Sequence, residues 1–336
     1  MLRRVFQLAK LAPCLRRGDV SFVSLPKRPS SLRRQGPNLL TVVAALLALA
    51  TPAHAARPDP TPGFRFEIVT TDDGSAVTRR IVDDLTRRLV PLFSVFRTEL
   101  AQRRRMLYVA IGPDALREVA QRRCDCVVIS TFTSSQVVRA IVATLPPERA
   151  AAVTAVYAEP APDDQLRLAA LLYRRPVRVA ALLGPGTAFL KPVLAAGEGA
   201  NRVAVLDAGK DGDINRLLGQ IAQTDALLAL PDSSIYNAEN FRNILLSTYR
   251  HKQGVIGFSS DMVKAGALAT TYSEIEDIDA QVEEIVAAYV ASGTLPAPQF
   301  PRYFRTIVNE GVARSLDVEV SDAVRAFARP APARKP

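Results

Sequence analysis

From Gly63 onward, short apolar runs alternate with segments whose apolar residues recur at three- and four-residue spacing. The first pattern suits strands buried on both faces of a parallel sheet, and the second suits amphipathic helices. The clearest unit is Thr224–Ala269. Ala226–Leu230 is an apolar run ended by Pro231 and followed by Asp232-Ser233-Ser234. Asn237 can cap a helix that carries Phe241, Ile244, Leu245 and Thr248 on one face. Arg250 and Lys252 suit that helix's negative end, and Gly254 can close it. Val255–Phe258 is the next strand, and Ser259-Ser260-Asp261 repeats the polar ending.

The same grammar runs through the chain. Strands are expected at Phe64–Thr70, Met106–Gly112, Cys126–Ser130 and Val153–Tyr157, each followed by a helical pattern. On the first of these helices, Asp83 with Arg87 and Asp84 with Arg88 stand four apart. A second series begins after Ala161-Pro162-Asp163-Asp164, with strands at Val177–Leu183, Val203–Asp207, Ala226–Leu230 and Val255–Phe258. Leu268–Tyr272 is expected to cross between the series. Ser273 and Glu276 form a capping box for a helix ending at Gly293, and Tyr303–Val308 is a last strand before a helix at Asn309–Leu316. The expected architecture is α/β, with two Rossmann-like lobes of parallel sheet joined by a hinge. Lobe 1 takes 63–159 plus about 268–293, and lobe 2 takes 160–267 plus about 300–318. The tail from Arg329 reads as disordered.

Net charge changes the picture only until it is located. The chain carries +10, but residues 1–55 hold nine Lys/Arg and one acid, Asp19. Removing these from 43 basic and 33 acidic residues leaves 34 against 32, so the remainder has no electrostatic footprint for nucleic acid. Arg33-Arg34, the apolar run Leu39–Ala50 and Ala53-His54-Ala55 are the charged, hydrophobic and cleavage regions of an export signal. Cleavage near Ala55 and a periplasmic location follow. Of the remaining cysteines, Cys124 and Cys126 sit two apart at a strand entrance, a spacing that does not readily bond to itself.

The chemistry that the chain lacks narrows the options. His251 is the one histidine after the leader and lies in a charged helix end, and no G-x-S-x-G elbow accompanies it. No G-x-G-x-x-G or G-x-x-x-x-G-K-[ST] cradle occurs, so no enzyme, cofactor or metal is expected. What remains is a set of polar residues at the carboxyl ends of strands, where open α/β sheets bind ligands. In the first lobe these are Thr71, Thr131, Thr133, Ser134, Ser135 and Tyr157. In the second they are Thr187, Asp232, Ser233, Ser234, Tyr236 and Ser259. Capping or solvent exposure is the competing account of each. If Thr133–Ser135 open a helix, their hydroxyls and free N–H groups favour an anion such as a carboxylate. Asp232 would then meet an ammonium or hydroxyls from the opposite lobe, and Tyr157 and Tyr236 could stack on a ring.

Several segments resemble the ABC-transporter substrate-binding proteins of the type I periplasmic-binding fold, within a subgroup that includes aromatic amino-acid binders. They are Asp225–Asn237, Thr248–Ala269 and Pro298–Val318, with weaker matches at Val153–Pro160 and Arg178–Thr187. Gly184-Pro185-Gly186-Thr187 is similar to a shortened form of a loop richer in Asn, Glu and Ser in relatives. Thr131–Ser135 is similar to the turn that grips the ligand's carboxylate in relatives. The resemblance implies a solute-binding component, closing over a small molecule such as an amino acid or related carboxylate and delivering it to an inner-membrane ABC permease. The alternative is a sensory or scaffold protein that uses the same fold to contact a receptor or envelope partner without transport.

Overall fold

The computed structural model describes residues 66–71, 74–95, 106–196, 202–209 and 213–333. The expected export segment lies outside the described residues, as do Asp72-Asp73 and the last three residues of the tail. The strands are β1 (Phe66–Thr70), β2 (Met106–Ile111), β3 (Cys126–Thr133), β4 (Val153–Tyr157), β5 (Arg178–Leu183), β6 (Arg202–Asp207), β7 (Ala226–Leu228), β8 (Gly254–Ile256), β9 (Ala269–Tyr272) and β10 (Arg305–Val308). The helices are α1 (Ala76–Val95), α2 (Gly112–Ala120), α3 (Ser135–Val142), α4 (Pro147–Ala150), α5 (Pro162–Tyr173), α6 (Lys191–Ala196), α7 (Ile214–Gln220), α8 (Ala238–Arg250), α9 (Ser260–Ala265), α10 (Ile275–Ser292), α11 (Glu310–Ser315) and α12 (Asp322–Arg325).

Two sheets result. The first is four-stranded and parallel, in the order β1-β2-β3-β4. The second is six-stranded, in the order β10-β9-β8-β7-β5-β6, and parallel except for β10. The antiparallel β10 departs from the expected all-parallel sheet for a geometric reason. The chain leaves the carboxyl end of β9, runs through α10, and returns to that same end, where the Ser273 hydroxyl donates to the Tyr303 carbonyl at 2.6 Å. A strand starting there can only run back alongside β9.

Strand β9 belongs to the second sheet, so the crossing falls at Ser273 and not at 268. The helix cap also moves by one residue. Glu274 is the N-cap of α10, and its N–H donates to the Asp277 carboxylate at 3.1 Å.

Each sheet is covered on both faces, as parallel strands require. On one face of the first sheet, Ile81, Leu85 and Leu89 of α1 and Val282, Ile285, Val286 and Tyr289 of α10 pack against Leu107, Val109, Val127 and Ile129. Leu116, Val119, Val138 and Ile141 cover the other face over Ala110, Val128 and Ala155. The second sheet has matching layers, with Leu166, Leu168 and Leu172 of α5 on one side and Leu217, Phe241 and Ile244 on the other.

Polar contacts tie α10 to α1. Arg88 donates to Asp84 at 2.6 Å and to Glu283 at 3.1 Å. Of the two expected spacings of four, Asp84–Arg88 pairs, while Arg87 turns to Asp84 three residues back. Burial, with the Asp84 charge adding to it, pushes the Asp279 carboxyl up to about 9.

Two further expectations are corrected. Cys124 and Cys126 are disulfide-bonded, because the bend at Asp125 brings their Cα atoms to 5.2 Å, inside the bonding range. The part of the tail from Arg329 that is described packs against the domain. Arg329 exchanges backbone hydrogen bonds with Phe304 at 2.8 Å in each direction, its guanidinium lies over the Phe304 ring, and Ala331 N–H reaches Asp277 at 3.2 Å. A cationic side chain on an aromatic face and a paired backbone outweigh the Pro-rich composition. Leu85→Ala should lower the unfolding free energy by about 2–5 kcal/mol in denaturant titration, since it opens a fully buried seam between α1, α10 and the sheet.

Candidate functional site

The carboxyl ends of β3 and β4 carry the polar residues of the first lobe. Thr131, Thr133 and Ser135 are buried, and Ser134 is half-buried at the N-cap of α3 without a side-chain capping bond. Thr71, at the end of the edge strand β1, is exposed and stands apart from this group. A residue that the sequence reading passed over organises the cluster. Glu159, just past β4, is 4% exposed, and its two oxygens accept the Ser135 N–H at 2.9 and 3.1 Å. A carboxylate belongs at a helix N-terminus, and here the protein supplies its own. Burial pushes the Glu159 carboxyl up to about 7, against the opposing pull of the Ser135 N–H. Tyr157 is buried with its ring edge-on to Phe300 at 5.0 Å, and it forms part of the packed junction between the lobes.

The second lobe gathers Thr187, Asp232 and Ser234. Asp232 is 2% exposed and accepts from the Thr187 hydroxyl at 3.0 Å, the Ser234 N–H at 3.0 Å and the Ser234 hydroxyl at 2.6 Å. Gly184 lies so close that a Cβ there would strike the Asp232 carboxylate. Ser233 is exposed beside this cluster. Tyr236 and Ser259 have other duties. Tyr236 is buried in the core under Phe258, and burial raises its phenol pKa well above the usual range. Ser259 caps α9, accepting the Met262 N–H at 3.3 Å. Both are helix- and core-building residues.

The two clusters meet. A Cβ at Gly186 would clash with the Gln136 side chain, so the start of α3 rests directly on the Gly184–Thr187 loop. One turn further along α3, the Arg139 guanidinium lies 4.3 Å from the Phe189 ring centre. Gln136, Arg139 and Phe189 were also missed. Their sequence signal was only their place next to two polar strand ends. His251, the one imidazole considered for catalysis, is exposed, with Nδ1 2.9 Å from the Ser247 carbonyl of its own helix. It lines a cavity of about 590 Å³ at the amino ends of β5 and β7, the opposite ends of these strands from Asp232. Asp225 there, paired with Arg175 at 2.9 Å and Arg178 at 3.3 Å, is held down to about 2, chiefly by its bond to Arg175. Among the described residues no group of three or more His, Cys, Asp or Glu is placed to hold a metal, and no helix is long and apolar enough to cross a membrane.

No family model and no curated protein matches the chain. Solved structures do. A substrate-binding protein with adhesive properties from Clostridium difficile, in its ligand-free, open form, is 14% identical, with 78% of this chain and 97% of that chain covered and a TM-score of 0.53. A conserved domain protein from Vibrio cholerae is 18% identical, covering 79% and 97%, at a TM-score of 0.49. An ABC domain in complex with L-Trp from Streptococcus pneumonia is 16% identical, covering 79% and 97%, at 0.48. The chain has the α/β, two-sheet fold of the type I periplasmic-binding class.

The buried acid beneath α3 gives a pH test. Glu159 titrates near 7 folded, against an ordinary value of 4.5, so the folded chain holds a proton across that window that the unfolded chain releases. Stability is therefore lost as pH rises from 4.5 to about 7, by about 3 kcal/mol. Glu159→Gln should remove that slope. In denaturant titrations its stability relative to the native protein should rise by about 3 kcal/mol between pH 4 and pH 8.

Proposed function

We propose that this protein is an exported solute-binding component of an ABC transporter, which closes two lobes over a small polar molecule and presents it to a membrane permease. One observation carries the proposal: the helix that follows the polar end of β3 touches the loop and turn that follow β5, at Gln136 on Gly186 and Arg139 on Phe189. Three crossings of the chain form the joint, after β4, at Ser273 and through Pro298–Arg302. Phe300 packs against the cores of both lobes. Such a joint allows a hinge motion in which a ligand that bridges both lobes favours the closed form. The likeness to a substrate-binding protein supports the fold behind this reading, and the expected export segment supports delivery outside the cytoplasm.

A second reading has its own support. The protein's own side chains fill the closed gap at Gln136, and Glu159 occupies the N-terminus of α3. A sensor or scaffold that contacts an envelope partner would have no need to leave that space free.

Titration calorimetry of the purified protein against sugars, polyols, amines, purines and amino acids is the test, and at least one class should release heat and raise the melting temperature. Gly186→Val places a branched side chain where Gln136 now rests. It should hold the lobes apart, weakening that ligand at least tenfold while leaving the melting temperature of the free protein within a few degrees. Absence of binding by every class would favour the sensor or scaffold.

A further inference from the structure

We propose that the Cys124–Cys126 disulfide is a thiol–disulfide exchange site, which accepts a thiol at Cys124 and releases Cys126 as the leaving thiolate. The bond lies in the turn between α2 and β3, at the amino end of β3, so it does not depend on any solute bound at the carboxyl ends. Its two partners differ in access. Cys124 is exposed, as are Arg123 and Asp125 on either side, while Cys126 is 2% exposed at the start of the strand. A nucleophile arriving from solvent therefore meets one end of the bond and not the other.

The bond is also a poor staple. A single residue separates the cysteines, so closing that loop restrains the unfolded chain about as little as a disulfide can. The turn has other ties. Arg149 donates to the carbonyls of Val119 at 3.0 Å, Ala120 at 3.3 Å and Cys126 at 2.8 Å, which clamps the end of α2 to the first residue of β3. The Arg122 N–H reaches the Val119 carbonyl and the Cys124 N–H reaches the Arg122 carbonyl, each at 3.1 Å. None of these bonds involves sulfur, so the turn is held whether the link is closed or open. The clamp also bears on the chemistry. A guanidinium bonded to the Cys126 carbonyl puts a fixed positive charge beside the residue whose sulfur must leave as a thiolate. Exchange is governed by access to the attacked sulfur and by the leaving group, and exposed disulfides belong to the labile class.

The reaction balances with thiols alone. A thiolate attacks Cys124 Sγ and forms a mixed disulfide with it. The bond to Cys126 breaks, and its electron pair stays on Cys126 Sγ, which takes a proton from water. A second thiolate then attacks the partner's sulfur and displaces Cys124. The protein gains two electrons and ends as a dithiol, and two partner thiols end as one disulfide. A small thiol and a protein dithiol supply the same chemistry.

The test exposes the purified full chain, folded and free of oxygen, to millimolar reduced glutathione or to a peptide with two cysteines. Samples are quenched in acid and alkylated, and the tryptic peptide Cys124–Arg139, which holds both cysteines and excludes Cys14, is mapped by mass. At early times the partner should sit on Cys124 at least tenfold more often than on Cys126. At late times both cysteines should be alkylated, with the melting temperature within a few degrees of the oxidised chain. Reaction with glutathione alone would identify a small thiol as the partner, and preference for the peptide a protein dithiol. Cys124→Ser changes only an exposed position and should leave Cys126 at least tenfold slower to alkylate than Cys124 is in Cys126→Ser. If Cys126→Ser fails to fold, the same ratio is read within the reduced native chain. Structural disulfides of exported proteins resist the glutathione pool. A bond that survives both thiols until denaturant is added, a partner held on Cys126, or loss of cooperative melting on reduction would each overturn the proposal.

Discussion

A parallel strand can leave neither face wet, and the whole architecture follows from meeting that demand twice with one chain. Each sheet needs a helical layer above and below, and for the first lobe the upper layer is built from α1 together with α10. The chain must therefore leave the second sheet after β9 and come back for β10. These returns explain features that look unrelated in the sequence. They explain the antiparallel edge strand, the Pro-rich passage at Pro296–Pro301, and the packing of Phe300 against two cores at once. They also accompany the contact of the start of α3 with the Gly184–Thr187 loop.

At that gap the dominant effect is electrostatic. A helix N-terminus attracts anions, and at α3 the first N–H, that of Ser135, is bound from within by Glu159. The buried acid also carries a stability cost that depends on pH, because desolvation holds its pKa near neutrality.

The fold was legible because its signals are local. Apolar runs ended by small polar residues marked nearly every strand, and Asn237 caps α8 as its position suggested. The limits of β7 and β8 shifted by one or two residues, which is the usual uncertainty at strand ends. What was not legible depended on distant partners. Arg329 reads as tail until Phe304 and Asp164 are placed against it, 25 and 165 residues earlier. The link between Cys124 and Cys126 needed the bend at Asp125, which spacing alone did not reveal. Of the candidate site residues, Thr187, Asp232, Ser234 and Ser135 take part in the two clusters, while Tyr236 went to the core and Ser259 to a cap. Hydroxyls at strand ends serve capping and binding equally well, so residue type could not separate those roles. Glu159 escaped notice because its partner, Ser135, lies a whole strand away.

The helix that completes the first core has one more consequence, which concerns time. The ribosome releases β1 to β3 more than a hundred residues before α10 emerges. Until then, Leu107, Val109, Val127 and Ile129 have only α1 above them. The amino-terminal lobe therefore waits for α10, and a chain halted before Ile275 would present a greasy, half-roofed sheet to chaperones and proteases. The second lobe waits longer still, since β10, α11 and α12 follow α10 in the chain and Ala313, Leu316 and Val324 complete its core.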